Sequence, residues 1–161
     1  MGESLINISA DDVDDFMDKV SNAVGEGDGV MGETTYDIKT NYSQSDGKIT
    51  KVTLTLTVNI KRAHFSGGKA DAENKKAIQT AQDLNKKHEQ KHKKLAEDIC
   101  AKEFAKAQKD LVGKDQSEVQ KAVDAIKKQI DDAYEDLDKK EGMTKITPNS
   151  NGSFTVKQVG V

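Results

Sequence analysis

The chain has 161 residues, which suits a single domain, and its formal net charge of −3 does not oppose compaction. Leucine, isoleucine, valine and phenylalanine make up about a fifth of the residues, close to the lower limit for sequences that fold. No apolar run is long enough to span a membrane, and the single cysteine excludes an intramolecular disulfide framework. The near-neutral charge balance also argues against a dedicated nucleic-acid-binding protein.

The N-terminal segment predicts a strand, a helix and a loop. Leu5–Ile8 are suited to a short strand, and apolar residues recur at helical spacing over residues 10–24. We expect the Ser9 hydroxyl to cap this helix, with Asp11 and Asp12 complementing the helix dipole. A glycine-containing loop follows, marked by Gly25, Gly27, Gly29 and Gly32. The first eight residues lack the basic start and apolar stretch of a signal peptide.

A change to a period of two residues predicts a β-hairpin in the next segment. Alternation begins at Thr34, turn residues occupy 43–47, and a long strand covers Ile49 to Lys61. In this strand the apolar residues share one face, and they are Val52, Leu54, Leu56, Val58 and Ile60. Because the opposite face is polar, we expect an antiparallel strand with one side on the core and the other in water.

Two long helices are predicted after residue 68. The first has an apolar and histidine stripe made of Ala77, Ala81, Leu84, His88, His92, Leu95 and Ile99. The pattern breaks near Gly113, and a second stripe follows, made of Val119, Val123, Ile126, Ile130, Ala133, Tyr134 and Leu137. The short connection favours an antiparallel pair, and Met143–Thr147 and Ser153–Val159 are candidates for short strands. We therefore predict one α+β domain over residues 1–161, with a small antiparallel sheet, an N-terminal helix and two long antiparallel helices.

The first long helix contains the sequence His88-Glu89-Gln90-Lys91-His92, which is an HExxH motif. Residues four apart lie on the same face of a helix, so the two imidazoles can bind one ion. In zinc peptidases the glutamate beside the first histidine is the general base that takes a proton from water. Because both histidines share the apolar stripe, we favour a metal site over a solvated helix face. The sequence thus predicts that His88 and His92 bind Zn²⁺ and that Glu89 is catalytic.

A zinc site of this kind needs a third protein ligand. Asp98 has the spacing of one zincin class, but the helix continues there and is expected to carry it away from the metal. His64 follows the long strand and could fold over the site, although a loop histidine in water is the simpler interpretation. The acidic end of the second helix supplies further candidates, which are Glu135, Asp136, Asp138 and Glu141. Spacing alone leaves these alternatives open.

Three other features, the lysines around the motif, Cys100 and Tyr134, can be interpreted without a new site. The lysines around the motif lack interleaved aromatic residues, so they predict a solvated helix face rather than a nucleic-acid interface. Cys100 is expected to be a buried small hydrophobic residue. Tyr134 could donate a hydrogen bond to the oxyanion of a tetrahedral intermediate, although a residue that caps the core would have the same spacing.

The order of elements and several motifs resemble a known family. These motifs are Gly32-Glu33-Thr34-Thr35-Tyr36-Asp37-Ile38, the alternating strand Lys51 to Lys61, the HExxH, and the sequence from Tyr134 to Thr144. They are similar to the predicted secreted bacterial zinc-dependent proteases grouped as domain of unknown function nine-two-two. The chain departs from the family pattern in having one cysteine and no tryptophan.

The resemblance implies a zincin-like fold, secretion or export, and zinc-dependent cleavage of a protein or peptide substrate. It also places Glu141 where the family has a histidine before a glycine, after a shift of one residue. Glu141 is therefore the third ligand that the resemblance implies, with Asp138 as the next candidate. Two alternatives remain: a metal-binding effector or interaction protein without turnover, and a helical-hairpin interaction module in which the HExxH has no metal.

Overall fold

The computed structural model describes residues 2–161 and contains three helices and two sheets. The strands are β1 (Gly2–Ser9), β2 (Gly32–Ser45), β3 (Lys48–Gly67), β4 (Met143–Pro148) and β5 (Phe154–Val159). The helices are α1 (Val13–Val24), α2 (Ala72–Asp110) and α3 (Ser117–Glu141). The predicted α+β class is confirmed.

The larger sheet has the strand order β1-β3-β2, with β3 at its centre. β2 and β3 form the predicted antiparallel hairpin, but β1 pairs with β3 in parallel, so the sheet is mixed rather than antiparallel as predicted. The hairpin turn consists of Asp46 and Gly47, whose φ angles of 52° and 76° are those of a tight two-residue turn. Both hairpin strands are longer than predicted, and the end of β3 beyond Lys61 pairs with β1 and places Ala63 in the core. β4 and β5 form a separate antiparallel pair.

Apolar residues on one face of β3 form a core with α2 and α3. Val52, Leu54 and Val58 are buried there together with Ile126 and Ile130 of α3. A second core joins α1, β1 and the start of α2 around Phe16, Val20 and Ile78. These two clusters place the middle of α2 between the sheet and the end of α3.

The start of α1 differs from the prediction. Asp12, rather than Ser9, caps the helix, and its side chain accepts a hydrogen bond of 2.7 Å from the backbone N–H of Asp15. Ser9 belongs to β1 and pairs with Gly67, so the chain is still extended where the cap was expected. Helix formation begins only after this strand pairing ends.

The two long helices are joined by a short connection, as predicted. The side chain of Asp71 caps α2 by accepting a hydrogen bond from the backbone N–H of Asn74. α2 continues to Asp110, and the connection at 111–116 contains Gly113 with a φ of 86°. The middle of α2 lies opposite the last turns of α3, where His88 and His92 contact Asp138.

In residues 2–161, no helix combines the length and apolar character that crossing a bilayer requires.

The buried face of α2 is rotated relative to the predicted stripe. Leu84, Leu95 and Ile99 are only half-buried, whereas Asn85 and Glu89 are almost fully buried. The reason is that α2 packs against the sheet on one side and α3 on another, and Ala96 is fully buried in the core that they share. The two histidines belong to both the predicted and the observed face. The rotation brings Glu89 into the interior.

Cys100 lies in the core formed by β3, α2 and α3, as expected. Burial raises the pKa of its thiol from 9.0 to about 11. Because the thiolate is the reactive form, this shift lowers the reactive fraction at pH 8 by about 100-fold.

We expect very slow labelling of Cys100 by a thiol reagent in the folded protein and rapid labelling in urea, measured by absorbance. Equal rates in the two states would contradict the burial of Cys100.

Candidate metal centre

Three side chains from α2 and α3 bring their donor atoms together. The Nε2 atoms of His88 and His92 are 3.1 Å apart, and they lie 3.0 Å and 2.8 Å from Oδ1 of Asp138. Both histidines are buried, and Asp138 is half-buried. The one-turn spacing on α2 puts the imidazoles on one face, and the antiparallel packing of α3 supplies the carboxylate. His88, His92 and Asp138 thus form a group that could hold a metal ion.

The two imidazoles turn the same ring nitrogen, Nε2, toward this group. Their rings are 4.6 Å apart and nearly perpendicular, at 84°. Burial lowers the pKa of His92, although the nearby Asp138 carboxylate opposes this effect. A neutral imidazole has one nitrogen lone pair available for a metal. Nδ1 of His92 is buried without a hydrogen-bond partner in the described part of the chain.

Glu141 lies on the other side of His88 from this group. Its Oε1 is 3.4 Å from Nδ1 of His88 and accepts a 2.6 Å hydrogen bond from Nζ of Lys91. Partial burial raises the pKa of Glu141, but the bonds from Lys91 and His88 outweigh it, and the pKa lies below its ordinary value. An N–H at Nδ1 that donates to Glu141 leaves the Nε2 lone pair directed at Asp138 and His92. Glu141 is therefore placed to orient His88 rather than to join the three donor atoms.

Glu89 is buried beside the two histidines but is not one of the three donors. Its Oε2 accepts a hydrogen bond of 2.5 Å from the Thr34 hydroxyl, which belongs to β2. Burial raises the pKa of Glu89, and the bond from Thr34 acts in the opposite direction. The carboxylate is thus held at the junction between α2 and the edge of the sheet.

Gly32 gives this carboxylate its space. A Cβ at this position would lie 2.9 Å from Oε1 of Glu89, 2.9 Å from Nδ2 of Asn85 and 3.0 Å from the backbone oxygen of Lys61. Real Cβ atoms almost never lie within 3.0 Å of another atom, so a side chain at position 32 would force the ends of Glu89 and Asn85 to move. The absence of a side chain at Gly32 is therefore required for Glu89 to occupy its position.

Replacing Gly32 with alanine should destabilise the protein by about 1–3 kcal/mol, because the added methyl group overpacks this junction. Urea unfolding of the metal-free protein measures the change. Gly2→Ala is the matched control in the same sheet, since its Cβ would meet only Oδ1 of Asn59, at 3.7 Å. Equal unfolding midpoints for the two variants would show that the space at Gly32 is not needed.

The backbone at Asp138 is fixed from two directions. Its carbonyl oxygen accepts hydrogen bonds from the backbone N–H of Gly142, at 2.8 Å, and of Val161, at 3.0 Å. Gly160 packs so closely that a Cβ there would lie 2.0 Å from the backbone oxygen of Lys139. Residues 160–161 thus support the turn of α3 that carries the Asp138 carboxylate.

Tyr134 lies one turn before Asp138 on α3. Its ring is 4.3 Å from the ring of His92, at an angle of 60°. The hydroxyl oxygen is buried and has no hydrogen-bond partner in residues 2–161, and burial raises the pKa of the phenol. The ring therefore packs on a proposed ligand, as a core residue would, while the hydroxyl remains free to donate.

A cavity of about 220 Å³ opens at this group. Its lining includes His88, Glu89, His92, Tyr134 and Asp138. β2 contributes Gly32, Glu33 and Thr34 to the wall, and Val161 lies at the other side. The HExxH residues and the predicted tyrosine therefore share one concave site.

The structure does not bring the other candidate ligands to this site. Asp98 is exposed and forms an ion pair of 2.8 Å with Lys94. His64 lies on β3, opposite Asn7 of β1. Glu135 forms an ion pair of 2.6 Å with Lys139 on the surface of α3. Asp136 is exposed as well.

Gly32, Thr34 and Asn85 were not predicted as residues of the site. Asn85 is buried one turn before Glu89, and its Nδ2 has no hydrogen-bond partner among the described residues. Gly32 and Thr34 are the glycine and threonine of the strand motif that carried the family resemblance. That motif was the available signal, because residues 32 and 34 lie on the same face of a strand.

Comparison with protein families gives a match over most of the chain. A family model described as "Bacterial protein of unknown function (DUF922)" matches residues 6–145. The chain belongs to the DUF922 family. The matched range of this DUF922 chain includes the strand motif, the HExxH and Asp138, whereas β5 lies beyond it. No curated protein and no solved structure matches the chain. The family resemblance is confirmed, and the family description assigns no activity.

Proposed function

We propose that this protein is a zinc-dependent metallopeptidase of zincin-like build. Zn²⁺ would be held by His88, His92 and Asp138, with Glu89 as general base. The observation that carries the proposal is the convergence of two imidazole nitrogens and one carboxylate oxygen in a cavity that a buried glutamate also lines. Asp138 replaces Glu141 as the proposed third ligand, because Glu141 faces the opposite nitrogen of His88.

The geometry of the donor set supports zinc as the ion. Ligand atoms about 2.0–2.1 Å from a tetrahedral zinc are roughly 3.3 Å from one another. The three observed separations of 3.1, 3.0 and 2.8 Å are close to this value. Two histidines and one carboxylate are an ordinary ligand set for a catalytic zinc, which keeps its fourth position open. The residues present therefore fit the ion.

The side chains around the ion have distinct proposed roles. When bound, zinc lowers the pKa of a coordinated water and polarises the carbonyl group of the scissile peptide bond. Glu89 accepts the proton of the attacking water and later transfers a proton to the leaving amine. Burial raises the pKa of Glu89, and a carboxylate with a raised pKa is a better proton acceptor. The unpartnered hydroxyl of Tyr134 is the proposed donor to the developing oxyanion.

Hydrolysis of an unfolded protein substrate tests this function. We expect the zinc-loaded protein to cleave a fluorescently labelled, unfolded casein-type substrate. Removal of the metal by a chelator or by His88→Ala should abolish cleavage, and zinc should restore only the chelated sample. Stoichiometric zinc binding without cleavage would contradict the peptidase proposal and favour a metal-binding protein without turnover.

A further inference from the structure

The contact between Thr34 and Glu89 joins two parts of the fold that are distant in sequence. The Thr34 hydroxyl lies 2.5 Å from Oε2 of Glu89 and 3.4 Å from the backbone oxygen of the same residue. A hydroxyl has one hydrogen to donate, and the shorter distance directs it to the carboxylate. β2 thus fixes one oxygen of the glutamate through a side-chain hydrogen bond.

The second oxygen of Glu89 is located by packing rather than by a hydrogen bond. Oε1 lies over Gly32, where the glycine leaves room for it. Across residues 2–161, the hydrogen bonds to the Glu89 side chain involve Oε2 alone. Oε1 therefore keeps both lone pairs free, and it lies against the backbone of β2 at Gly32.

We propose that Thr34 is a positioning residue, whose hydroxyl holds the Glu89 carboxylate in one orientation so that Oε1 accepts the proton. This inference rests on the proposed function, because it assigns a partner to the proposed base. A base must lie within hydrogen-bond reach of the proton that it takes, so a carboxylate that rotates freely is a weaker catalyst. Supporting residues of this kind typically contribute about 10-fold to 100-fold to activity.

The Thr34 side chain can be changed without removing the strand. The pairing of Thr34 with Ile60 of β3 uses backbone atoms, so a side chain of similar shape preserves the sheet. Valine has that shape and lacks the hydroxyl, whereas serine keeps the hydroxyl. Thr35 is the matched control, because it is exposed on the opposite face of the same strand.

Kinetics of the zinc-loaded variants test the positioning role. We expect Thr34→Val to lower kcat by about 10-fold to 100-fold with little change in KM and with zinc stoichiometry retained. Thr34→Ser and Thr35→Val should have kcat values close to that of the wild type. Wild-type kcat in Thr34→Val, or an equal loss in Thr34→Ser, would overturn the inference.

A double-mutant cycle tests the contact without any need for activity. In the metal-free protein, Thr34→Val should change the unfolding equilibrium constant several-fold, but by less than about twofold in the Glu89→Leu background. An additive cycle would overturn the contact itself. A zinc-loaded wild type without turnover would instead overturn the proposed function, and with it the catalytic part of this inference. The two failures are therefore distinguishable.

Discussion

Replacing Asp138 with asparagine should weaken zinc binding by at least about 100-fold and reduce peptide hydrolysis to the same extent. The loss should exceed the 10-fold to 100-fold typical of residues that only orient a ligand. The reason is that Asp138 contributes the sole carboxylate oxygen among the three donor atoms that the structure brings together. Competition with a zinc chelator of known affinity measures the change.

Two further variants on α3 are compared with Asp138→Asn. Asp136→Asn removes the same charge from an exposed position two residues away and should leave zinc affinity unchanged. Glu141→Gln weakens the contact with Nδ1 of His88 and should reduce zinc affinity by about 10-fold to 100-fold. If Glu141→Gln were the more damaging change, Glu141 rather than Asp138 would be the third ligand.

Replacing Glu89 with glutamine should reduce kcat by about 100-fold to 10,000-fold while zinc remains bound. Glutamine has the size and shape of glutamate and can accept the hydrogen bond from Thr34, but it cannot act as a base. Because Glu89 is not one of the three donors, zinc stoichiometry should not change. Single-turnover hydrolysis and zinc content, measured on the same preparation, separate the two effects.

The control for this variant is Glu97→Gln, an exposed change two turns further along α2. It should retain wild-type hydrolysis and zinc content. Loss of zinc in Glu89→Gln would indicate that this glutamate is a ligand. Full activity in Glu89→Gln would exclude it as the general base.

The sequence predicted those parts of the fold that depend on local pattern. The alternation in β3 predicted the hairpin, because its apolar face is continuous from Val52 to Ile60. The spacing of His88 and His92 predicted that their imidazoles would converge, since it is a property of a single helix. The prediction that Ser9 caps α1 was wrong, because Ser9 is held in β1 by long-range pairing with Gly67.

The identity of the third donor residue, Asp138, depends on the rotation of α3 relative to α2. Helical spacing that continues from the buried residues Ile126 and Ile130 reaches Tyr134 and then Asp138 at steps of four. The predicted stripe turned to Leu137 instead, because the pattern was extended through apolar residues only. The signal for Asp138 was a carboxylate at the next position of the apolar stripe of α3, in a chain whose other long helix carries a pair of histidines.

The bond from Thr34 to Glu89 could not be predicted from either segment alone. It requires the strand motif at residues 32–34 and the helix motif at residues 88–92 to meet through the tertiary packing of α2 on the sheet. The rotated buried face of α2 has the same origin, since Glu89 and Asn85 turn inward only when sheet and helix pack together. Long-range packing therefore determines the parts of the site that local sequence patterns did not predict.

X-ray absorption at the zinc edge of the zinc-loaded protein identifies the atoms that bind the ion. We expect one zinc per chain, bound by two imidazole nitrogens and by oxygen ligands that include a carboxylate. The spectrum of Asp136→Asn should match that of the wild type, and Asp138→Asn should lose the carboxylate contribution. A spectrum without imidazole ligands, or a protein that binds no zinc at stoichiometric concentrations, would contradict the assignment of His88, His92 and Asp138 as a zinc centre.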